Sequence, residues 1–330
     1  MKEILNRLIN DQVLTREEAK QVLTGLAKGE YNNSQVAAFL TIYLMRAITV
    51  QELEGFRDAM LELCNPVDLD GYNVIDVCGT GGDGKNTFNI STISSFVVAG
   101  AGVNVAKHGN YGVSSVSGSS SVLEHLGVRF SGSAAQMKKS IDESGICFMH
   151  APLYHPAMKN VGPVRQELGV KTFFNMLGPM VNPAFPPNQL AGVFSLELAR
   201  LYGYLYQNTN KNFSIVHTLD GYDEVSLTDS FKLISNKSES LISPESVGLK
   251  KWKQAELHGG DTVRDAAKIF EKILLNQGSD AQNEVVFANA GLAIATAKQI
   301  SIKEGVELAG ESLIGGKALL SFKKFLTVNS

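Results

Sequence analysis

Short apolar runs alternate with helical patterns from Gly71 to about residue 218. The runs are rich in β-branched residues and span 74–77, 103–106, 146–149, 189–194 and 213–218. Segments of helical periodicity separate or follow them, at 119–126, 134–143, 155–168 and 196–207. Parallel strands need such crossover connections, so the alternation predicts an α/β domain with a largely parallel sheet.

The segment before Pro66 has a different pattern. Apolar residues recur there at helical spacing, as at Val36, Phe39, Leu40, Tyr43 and Leu44, and then at Leu53, Phe56, Met60 and Leu63. Capping boxes pair Thr15 with Glu18 and Thr49 with Glu52 at the start of two helical stretches. These features predict about four short helices.

The sequence therefore divides into a small helical domain, residues 1–65, and a larger α/β domain, residues 71–330. A single layer of short helices cannot bury all of its apolar surface, so we expect the faces around Phe39, Tyr43 and Phe56 to meet the other domain or another subunit. Within the larger domain, the polar stretch 229–250 suggests a surface hairpin, and 261–325 returns to helices.

Composition excludes several classes of protein. The 330 residues hold 30 Lys+Arg against 33 Asp+Glu, a net charge of −3, and 44% are hydrophobic. A folded, soluble chain without an excess of cations is a poor candidate for unspecific nucleic-acid binding. Three cysteines without CxxC spacing favour a reducing cytoplasm, and no apolar stretch is long enough to predict export or membrane anchoring.

The densest functional pattern is the segment 76–92, DVCGTGGDGKNTFNIST, which directly follows an apolar strand. Its four glycines, at 79, 81, 82 and 84, allow positive φ and let backbone amides converge on an anion. The apolar helix predicted over 93–101 would add its positive N-terminal end. The spacing matches neither GxGxxG nor GxxxxGK[ST], which disfavours a dinucleotide or Walker site. An ordinary glycine-rich turn remains the alternative.

Two further polar segments follow predicted strands. Lys107-His108-Gly109-Asn110 leads into a serine-rich stretch that resembles a phosphate cradle, although a surface linker has similar composition. Asp223 and Glu224 offer adjacent hard oxygen ligands suited to Mg²⁺, although solvated acids in a loop are commoner. Since α/β sheets gather ligands beyond the carboxyl ends of their strands, the three segments together favour a phosphate and magnesium site.

Six motifs together resemble those of the anthranilate phosphoribosyltransferase family. They are DVCGTGGD (76–83), NIST (89–92), KHGN (107–110), HPAMKNVGPVR (155–165), FNMLGP (174–179) and DE (223–224). The resemblance covers nearly the whole chain. It implies a small helical domain beside a larger α/β domain of the nucleoside phosphorylase type, usually in a homodimer joined through the helical domains.

The family transfers the 5-phosphoribosyl group from 5-phosphoribosyl 1-pyrophosphate (PRPP) to the amine of anthranilate, a step of tryptophan and hence aromatic amino-acid biosynthesis. Carried over by position, the resemblance implies PRPP contacts from Gly79, Gly82, Asp83, Thr87, Asn89, Ser91, Thr92, Lys107, Ser115 and Ser119. It implies anthranilate contacts from Gly79, His108, Asn110 and Arg165. It implies Mg²⁺ ligands at Ser91, Asp223 and Glu224.

The chain departs from the family's commonest pattern in the serine-rich stretch. Many members have Arg-Ala after the Asn and later a Lys and an Asp, where this chain has Tyr111-Gly112, Val116 and Ser121. The predicted phosphate cradle therefore lacks two of the family's usual cations, a change expected to alter its phosphate contacts. Lys107 remains as a cation.

The implied chemistry agrees with the residue types. Breaking the ribose C1–O bond builds negative charge on the leaving pyrophosphate, which Mg²⁺ and amide donors stabilise. Arg165 can bind the carboxylate of anthranilate in a bidentate fork. Because the amine of anthranilate is already neutral, we predict no dedicated general base. Among the histidines, His108 could pack near the aromatic ring or donate a hydrogen bond, while structural packing is favoured for His150 and His155.

Two other functions share the implied fold. A pyrimidine nucleoside phosphorylase would have an additional C-terminal domain and would lack the Asp223–Glu224 pair. A non-catalytic nucleic-acid-binding relative would show a basic face and altered metal residues, whereas this chain has a net charge of −3 and keeps both acids.

Overall fold

A computed structural model describes residues 1–112 and 118–330. Seven strands lie within those ranges: β1 (Ile75–Gly79), β2 (Val105–Gly109), β3 (Ile146–His150), β4 (Asn188–Gly192), β5 (Asn212–Thr218), β6 (Phe231–Ser235) and β7 (Glu239–Ile242). The α-helices there are α1 (Lys2–Ile9), α2 (Arg16–Lys28), α3 (Asn33–Met45), α4 (Val50–Glu62), α5 (Ile90–Gly100), α6 (Ser119–His125), α7 (Ala134–Ser144), α8 (Ala151–Tyr154), α9 (Gly162–Leu168), α10 (Leu196–Gln207), α11 (Val263–Leu274), α12 (Asp280–Lys298), α13 (Ile302–Ile314) and α14 (Lys317–Asn329). Two positions discussed above, Ser115 and Val116, lie outside the described residues.

Helices α1 to α4 confirm the prediction of four short helices at the N-terminus. Both predicted capping boxes form, with Thr15 and Thr49 each accepting a backbone N–H of the first turn. Glu52 has a further role. Its buried carboxylate accepts hydrogen bonds from the N–H of Leu14 at 3.0 Å and the hydroxyl of Tyr43 at 2.9 Å, and it pairs with Arg46. One acid thus ties α3 and α4 to the segment before α2.

The apolar faces around Phe39, Tyr43 and Phe56 are covered within the chain. Phe173, in a short 3₁₀ helix of the larger domain, stacks on Phe56 with ring centroids 4.4 Å apart and meets Tyr43 edge-on at 5.3 Å. All four rings are buried. The expectation that these faces meet the other domain is therefore correct. Because they are buried there, they are not free to meet another subunit.

The strands form one sheet in the order β3-β2-β1-β4-β5-β6-β7. The first five strands in this order run parallel, and β6 and β7 add to the edge as an antiparallel hairpin. The predicted α/β fold class with a mostly parallel sheet is confirmed, as is the hairpin within 229–250. Five predicted strands agree with β1 to β5 to within two to three residues.

One predicted helix is wrong in its extent. Residues 155–168 show helical periodicity, but the structure breaks this stretch into a short 3₁₀ helix, Pro156–Lys159, and α9. Pro156 and Pro163 each stand at the first or second position of a helix. A proline has no backbone N–H and fixes φ, so it starts a new helix more readily than it continues an old one.

The two faces of the sheet pack against different helices. On one face, β1 and β2 pack with α5 and the C-terminal helices α11 to α14. On the other, β4 and β5 pack with α10, the 3₁₀ segment around Phe173 and the N-terminal helices. No single helix in the described ranges is long and apolar enough to cross a membrane; α12 and α13 pass that test only as a pair bent by 118°.

Candidate active site

The site lies where the order of strands in the sheet reverses. The chain runs from β1 outward through β2 and β3 and then returns to β4 on the other side of β1. A cleft opens beyond the carboxyl ends of such neighbouring strands, where α/β proteins bind ligands. Here a cavity of about 280 Å³ occupies that position.

Glycines end both central strands for a steric reason. Gly79 of β1 and Gly192 of β4 are paired in register, and the loop containing Asp223 crosses directly over them. A Cβ on Gly79 would come within 2.5 Å of the Asp223 carboxylate, and one on Gly192 would overlap the Asp223 carbonyl. The two glycines therefore provide the space in which the acidic loop sits.

Nearly all residues named from the sequence surround this cavity. Those that line it are Gly79, Gly82, Asp83, Thr87, Asn89, Ser91, Thr92, Lys107, His108, Asn110, Ser119, Arg165, Asp223 and Glu224. Ser115 is the exception, since it lies outside the described residues. The structure brings together segments far apart in the sequence, while the role of each residue remains a prediction.

The glycine-rich loop after β1 adopts the backbone that its composition predicts. Gly81, Gly82 and Gly84 have φ of +66°, +78° and +76°, values that residues with a Cβ rarely adopt. The carbonyl of Gly82 accepts a hydrogen bond from the ammonium of Lys171, which precedes the 3₁₀ segment on the opposite side of the cleft. This contact joins the two walls of the cavity.

The acidic pair is bound to backbone amides of the neighbouring loops. The Asp223 carboxylate accepts from the N–H of Gly81 at 2.6 Å, and the Glu224 carboxylate accepts from the N–H of Ser91 at 2.9 Å. Ser91 lies in the first turn of α5, which begins at Ile90, three residues earlier than predicted. A phosphate was expected at this helix end, but its positive dipole and an amide already face Glu224.

Burial and mutual repulsion make both acids weak. Burial, together with the nearby charge of Asp83, raises the pKa of Asp223 to about 7. Burial and the charge of Asp223 raise the pKa of Glu224 well above its usual range. Like charges placed together out of water favour a bound cation over two free carboxylates.

Lys107 is the buried cation of the site. It is 2% exposed, and its ammonium donates to the carbonyl of Val77 at 2.5 Å and to the hydroxyl of Ser91 at 3.4 Å. Its position on β2 places its charge beneath the first turn of α5. Lys107 therefore contributes positive charge to the lining of the cavity.

Arg165 on α9 has no acidic partner among the described residues. Its guanidinium donates to the Asn175 side chain at 3.4 Å and lies 5.0 Å from the centre of the Phe174 ring. Burial alone lowers its pKa, which is the direction expected for a cation that lacks a nearby carboxylate. An incoming carboxylate would supply the missing charge.

Three histidines near the site are buried. Burial lowers the pKa of His108 to about 4 and that of His155 to about 3, and it lowers the pKa of His150. Nδ1 of His108 lies 3.2 Å from the carbonyl of Gly178, so this nitrogen carries the proton. All three rings are neutral at pH 7, and the structural packing expected of His150 and His155 stays a prediction.

Tyr111, one of the departures from the family pattern, is also held in place. It lines the cavity, its hydroxyl donates to Glu124 at 2.9 Å, and its ring meets that of His150 edge-on at 4.9 Å. The neighbouring Gly112 also lines the cavity. An aromatic side chain therefore lines this part of the cavity.

Sequence reasoning assigned no role to Phe174 or Asn175. Both line the cavity, and both contact Arg165. The FNMLGP motif contains them and could have directed attention to this segment. Their proximity to Arg165 depends on the turn between α9 and the 3₁₀ segment, which the motif alone does not reveal.

Comparison with known proteins agrees with this geometry. Residues 2–64 match the helical bundle domain of a glycosyl transferase family, and residues 71–319 match its a/b domain. An anthranilate phosphoribosyltransferase from Christiangramia forsetii is 64% identical, with 98% of each chain covered. The crystal structure of the Thermus thermophilus enzyme superposes with a TM-score of 0.92 at 35% identity, covering 98% of both chains.

A Saccharomyces cerevisiae anthranilate phosphoribosyltransferase in complex with PRPP and Mg superposes with a TM-score of 0.89 at 25% identity. The match covers 98% of this chain and 96% of the yeast chain. Identity above 60% over nearly the full length, together with both domain matches, shows the family. The chain belongs to the anthranilate phosphoribosyltransferase family.

Proposed function

We propose that the cavity beyond β1 and β4 is where this chain carries out the family reaction with Mg²⁺. That reaction is the transfer of the phosphoribosyl group of PRPP to the amine of anthranilate, in tryptophan biosynthesis. The observation that supports this location best is the convergence on one cavity of about 280 Å³ of the glycine loop, the acidic pair and Arg165, which has no acidic partner among the described residues.

The glycine loop and the start of α5 are proposed to hold PRPP. Gly81, Gly82 and Gly84 turn the backbone through positive φ, a conformation in which loop amides can face an anion, although the N–H of Gly81 is already bound to Asp223. Thr87, Asn89, Thr92 and Ser119 add polar side chains around the same cavity. Lys107, which also lines the cavity, supports this anion site electrostatically.

The acidic pair fits Mg²⁺. No group of three or more His, Cys, Asp or Glu side chains in the described part of the chain is arranged to hold a metal alone. Mg²⁺ prefers one or two carboxylates supplemented by waters and substrate phosphates, and Asp223, Glu224 and the Ser91 hydroxyl offer such a set. When bound, Mg²⁺ neutralises charge on the leaving pyrophosphate.

Anthranilate is proposed to bind on the α9 side of the cavity. Arg165 would hold the carboxylate, with Phe174 beneath the guanidinium and Asn175 fixing its direction. Asn110 and the buried His108 would contact the substrate from the strand side. Because these groups orient a neutral amine rather than deprotonate it, the residues act by positioning.

Two broader assignments are also proposed. Ile9, Leu44 and Met45 are 67%, 45% and 86% exposed on the N-terminal helices, which supports a homodimer joined through residues 1–65. All three cysteines are free, which supports a cytoplasmic location.

The fluorescence of anthranilate provides the test. Mixing the chain with PRPP and anthranilate should abolish that fluorescence with Mg²⁺ present and leave it unchanged in excess chelator. A double variant, Asp223→Asn with Glu224→Gln, should be inactive but folded, whereas Asp229→Asn, an exposed acid paired with Lys251, should behave as the unmodified chain. Full activity of the double variant would overturn the metal assignment.

A further inference from the structure

The loop with the acidic pair is held by a side chain from the C-terminal helices. Asn289, in the middle of α12, is 3% exposed. Its Oδ1 accepts from the N–H of Val225 at 3.0 Å, and its Nδ2 donates to the carbonyl of Val225 at 2.8 Å. Nδ2 also donates to the carbonyl of Val285, one turn earlier in α12, at 2.8 Å. The amide therefore binds both polar groups of the residue that follows Glu224.

A second buried side chain acts on the same loop from the sheet. Thr218, the last residue of β5, is fully buried, and its hydroxyl donates to the carbonyl of Glu224 at 2.6 Å. The same oxygen accepts from the N–H of Ser226 at 3.3 Å. Consecutive peptide groups after Glu224 are thus fixed by one residue of the helix layer and one of the sheet.

The sequence around Asn289 shows that this contact is unusual. Between Val285 and Ala295, all residues except Asn289 are apolar or glycine. A buried amide in such a helix destabilises the fold unless all its polar atoms find partners. Apart from the hydrogen bond to Val285 in its own helix, the side chain of Asn289 bonds only the backbone N–H and carbonyl of Val225. The polar side chain therefore holds the loop that contains Val225.

The acidic pair needs such a restraint. When both buried acids ionise to bind a cation, like charges lie side by side, and the loop that holds them would relax outward unless its backbone were fixed. We propose that Asn289, together with Thr218, is a positioning residue that holds the backbone of Glu224 and Val225, so that both carboxylates face the bound metal. This inference rests on the proposed role of the acidic pair.

The test compares Asn289→Ala and Thr218→Val with a control, Asn188→Ala. Asn188 is equally buried, and it donates to Asn73 and Val74 while accepting from Asn212, but it lies at the amino end of β4, away from the cavity. Binding of Mn²⁺ in the presence of pyrophosphate is followed by the loss of the free-ion paramagnetic resonance signal beyond the loss that pyrophosphate alone causes. Unfolding midpoints, and the Michaelis constants for PRPP and anthranilate, are measured alongside.

Asn289→Ala should weaken Mn²⁺ binding and lower kcat/KM for PRPP by about 10- to 100-fold, as is usual when a residue that orients a metal ligand is removed. Thr218→Val should act in the same direction and decides the question if Asn289→Ala does not fold. Asn188→Ala should lower the unfolding midpoint but leave Mn²⁺ binding intact.

Unchanged Mn²⁺ binding in the folded variants of Asn289 and Thr218 would overturn the inference. An equal loss in Asn188→Ala would also overturn it, because the effect would then follow stability alone. If the unmodified chain bound no Mn²⁺ and consumed no anthranilate, the proposed function itself would fail, so the two failures are distinguishable.

Discussion

Asp223→Asn should stabilise the metal-free protein while abolishing turnover. Asp223 is buried, and its pKa is raised from 3.8 to about 7 by burial and by the charge of Asp83. Such a rise corresponds to about 4 kcal/mol of unfavourable free energy for the ionised carboxylate. An asparagine removes the charge and can still accept the hydrogen bond from Gly81.

The sign of the pH dependence follows from proton uptake. Between pH 4 and pH 7 the folded chain keeps a proton on Asp223 that the unfolded chain has released, so the free energy of unfolding falls as the pH rises through this window. The penalty is therefore complete at pH 8. Asp223→Asn should raise the free energy of unfolding by about 2–4 kcal/mol at pH 8, and by less than half of that at pH 5.

Urea unfolding in excess chelator at the two pH values measures this difference. Asp229→Asn is the control, because the backbone N–H of Ser230 and the ammonium of Lys251 lower the pKa of this exposed acid, so its removal should not stabilise the chain at pH 8. Adding Mg²⁺ and pyrophosphate should then stabilise the unmodified chain but not Asp223→Asn. A destabilised Asp223→Asn, or a gain independent of pH, would refute the reasoning.

Arg165, Gly192 and Phe56 test other parts of the site. Arg165→Ala should lower kcat/KM for anthranilate roughly 30- to 1000-fold, which corresponds to a loss of about 2–4 kcal/mol of transition-state stabilisation. The affinity for PRPP, measured by calorimetry, should be unchanged. Gly192→Ala should reduce turnover by about 10- to 100-fold, because its Cβ would overlap the carbonyl of Asp223, and should weaken Mn²⁺ binding. Phe56→Ala should cost about 3–5 kcal/mol in urea unfolding and raise the KM for anthranilate more than that for PRPP, because it removes the ring stacked on Phe173.

Each of these outcomes has a clear contrary result. Equal losses of PRPP and anthranilate affinity in Arg165→Ala would place the arginine in the phosphate site or the scaffold. A fully active Gly192→Ala would show that the acidic loop need not lie against β4. An unchanged ratio of the two Michaelis constants in Phe56→Ala would separate the helical domain from the anthranilate side of the cavity.

Local sequence patterns predicted the strands of this fold well, because burial of apolar side chains alone decides where those strands form. The apolar runs that became β1 to β5 are short and β-branched, and sheet formation buries them on both faces. The stretch 155–168 was predicted less well, because hydrophobic periodicity does not register the loss of N–H donors at Pro156 and Pro163. In that stretch the prolines break the helix even though the apolar residues keep helical spacing.

Residues that act on the site from a distance could not be predicted. The glycine loop and the DE pair are contiguous motifs, so their chemistry is visible in the sequence. Asn289 and Phe173 have no such context: their partners, Val225 and Phe56, lie 64 and more than 100 residues away, and only the packed structure brings them together. Asparagine and phenylalanine are common residue types, and these two make specific contacts only because the fold buries them next to their partners.

The aromatic contact also gives the N-terminal helices a place in the chemistry. Phe173 stacks on Phe56 of α4 at 4.4 Å, and the next ring in the chain, Phe174, stacks on Phe173 at 4.6 Å. Phe174 in turn lies beneath Arg165 at 5.0 Å. Because stacked rings in a close-packed core have few alternative positions, the helical domain fixes the wall against which the guanidinium rests. The side of the cavity proposed for PRPP is built on the sheet, and the side proposed for anthranilate is built on the junction between the two domains.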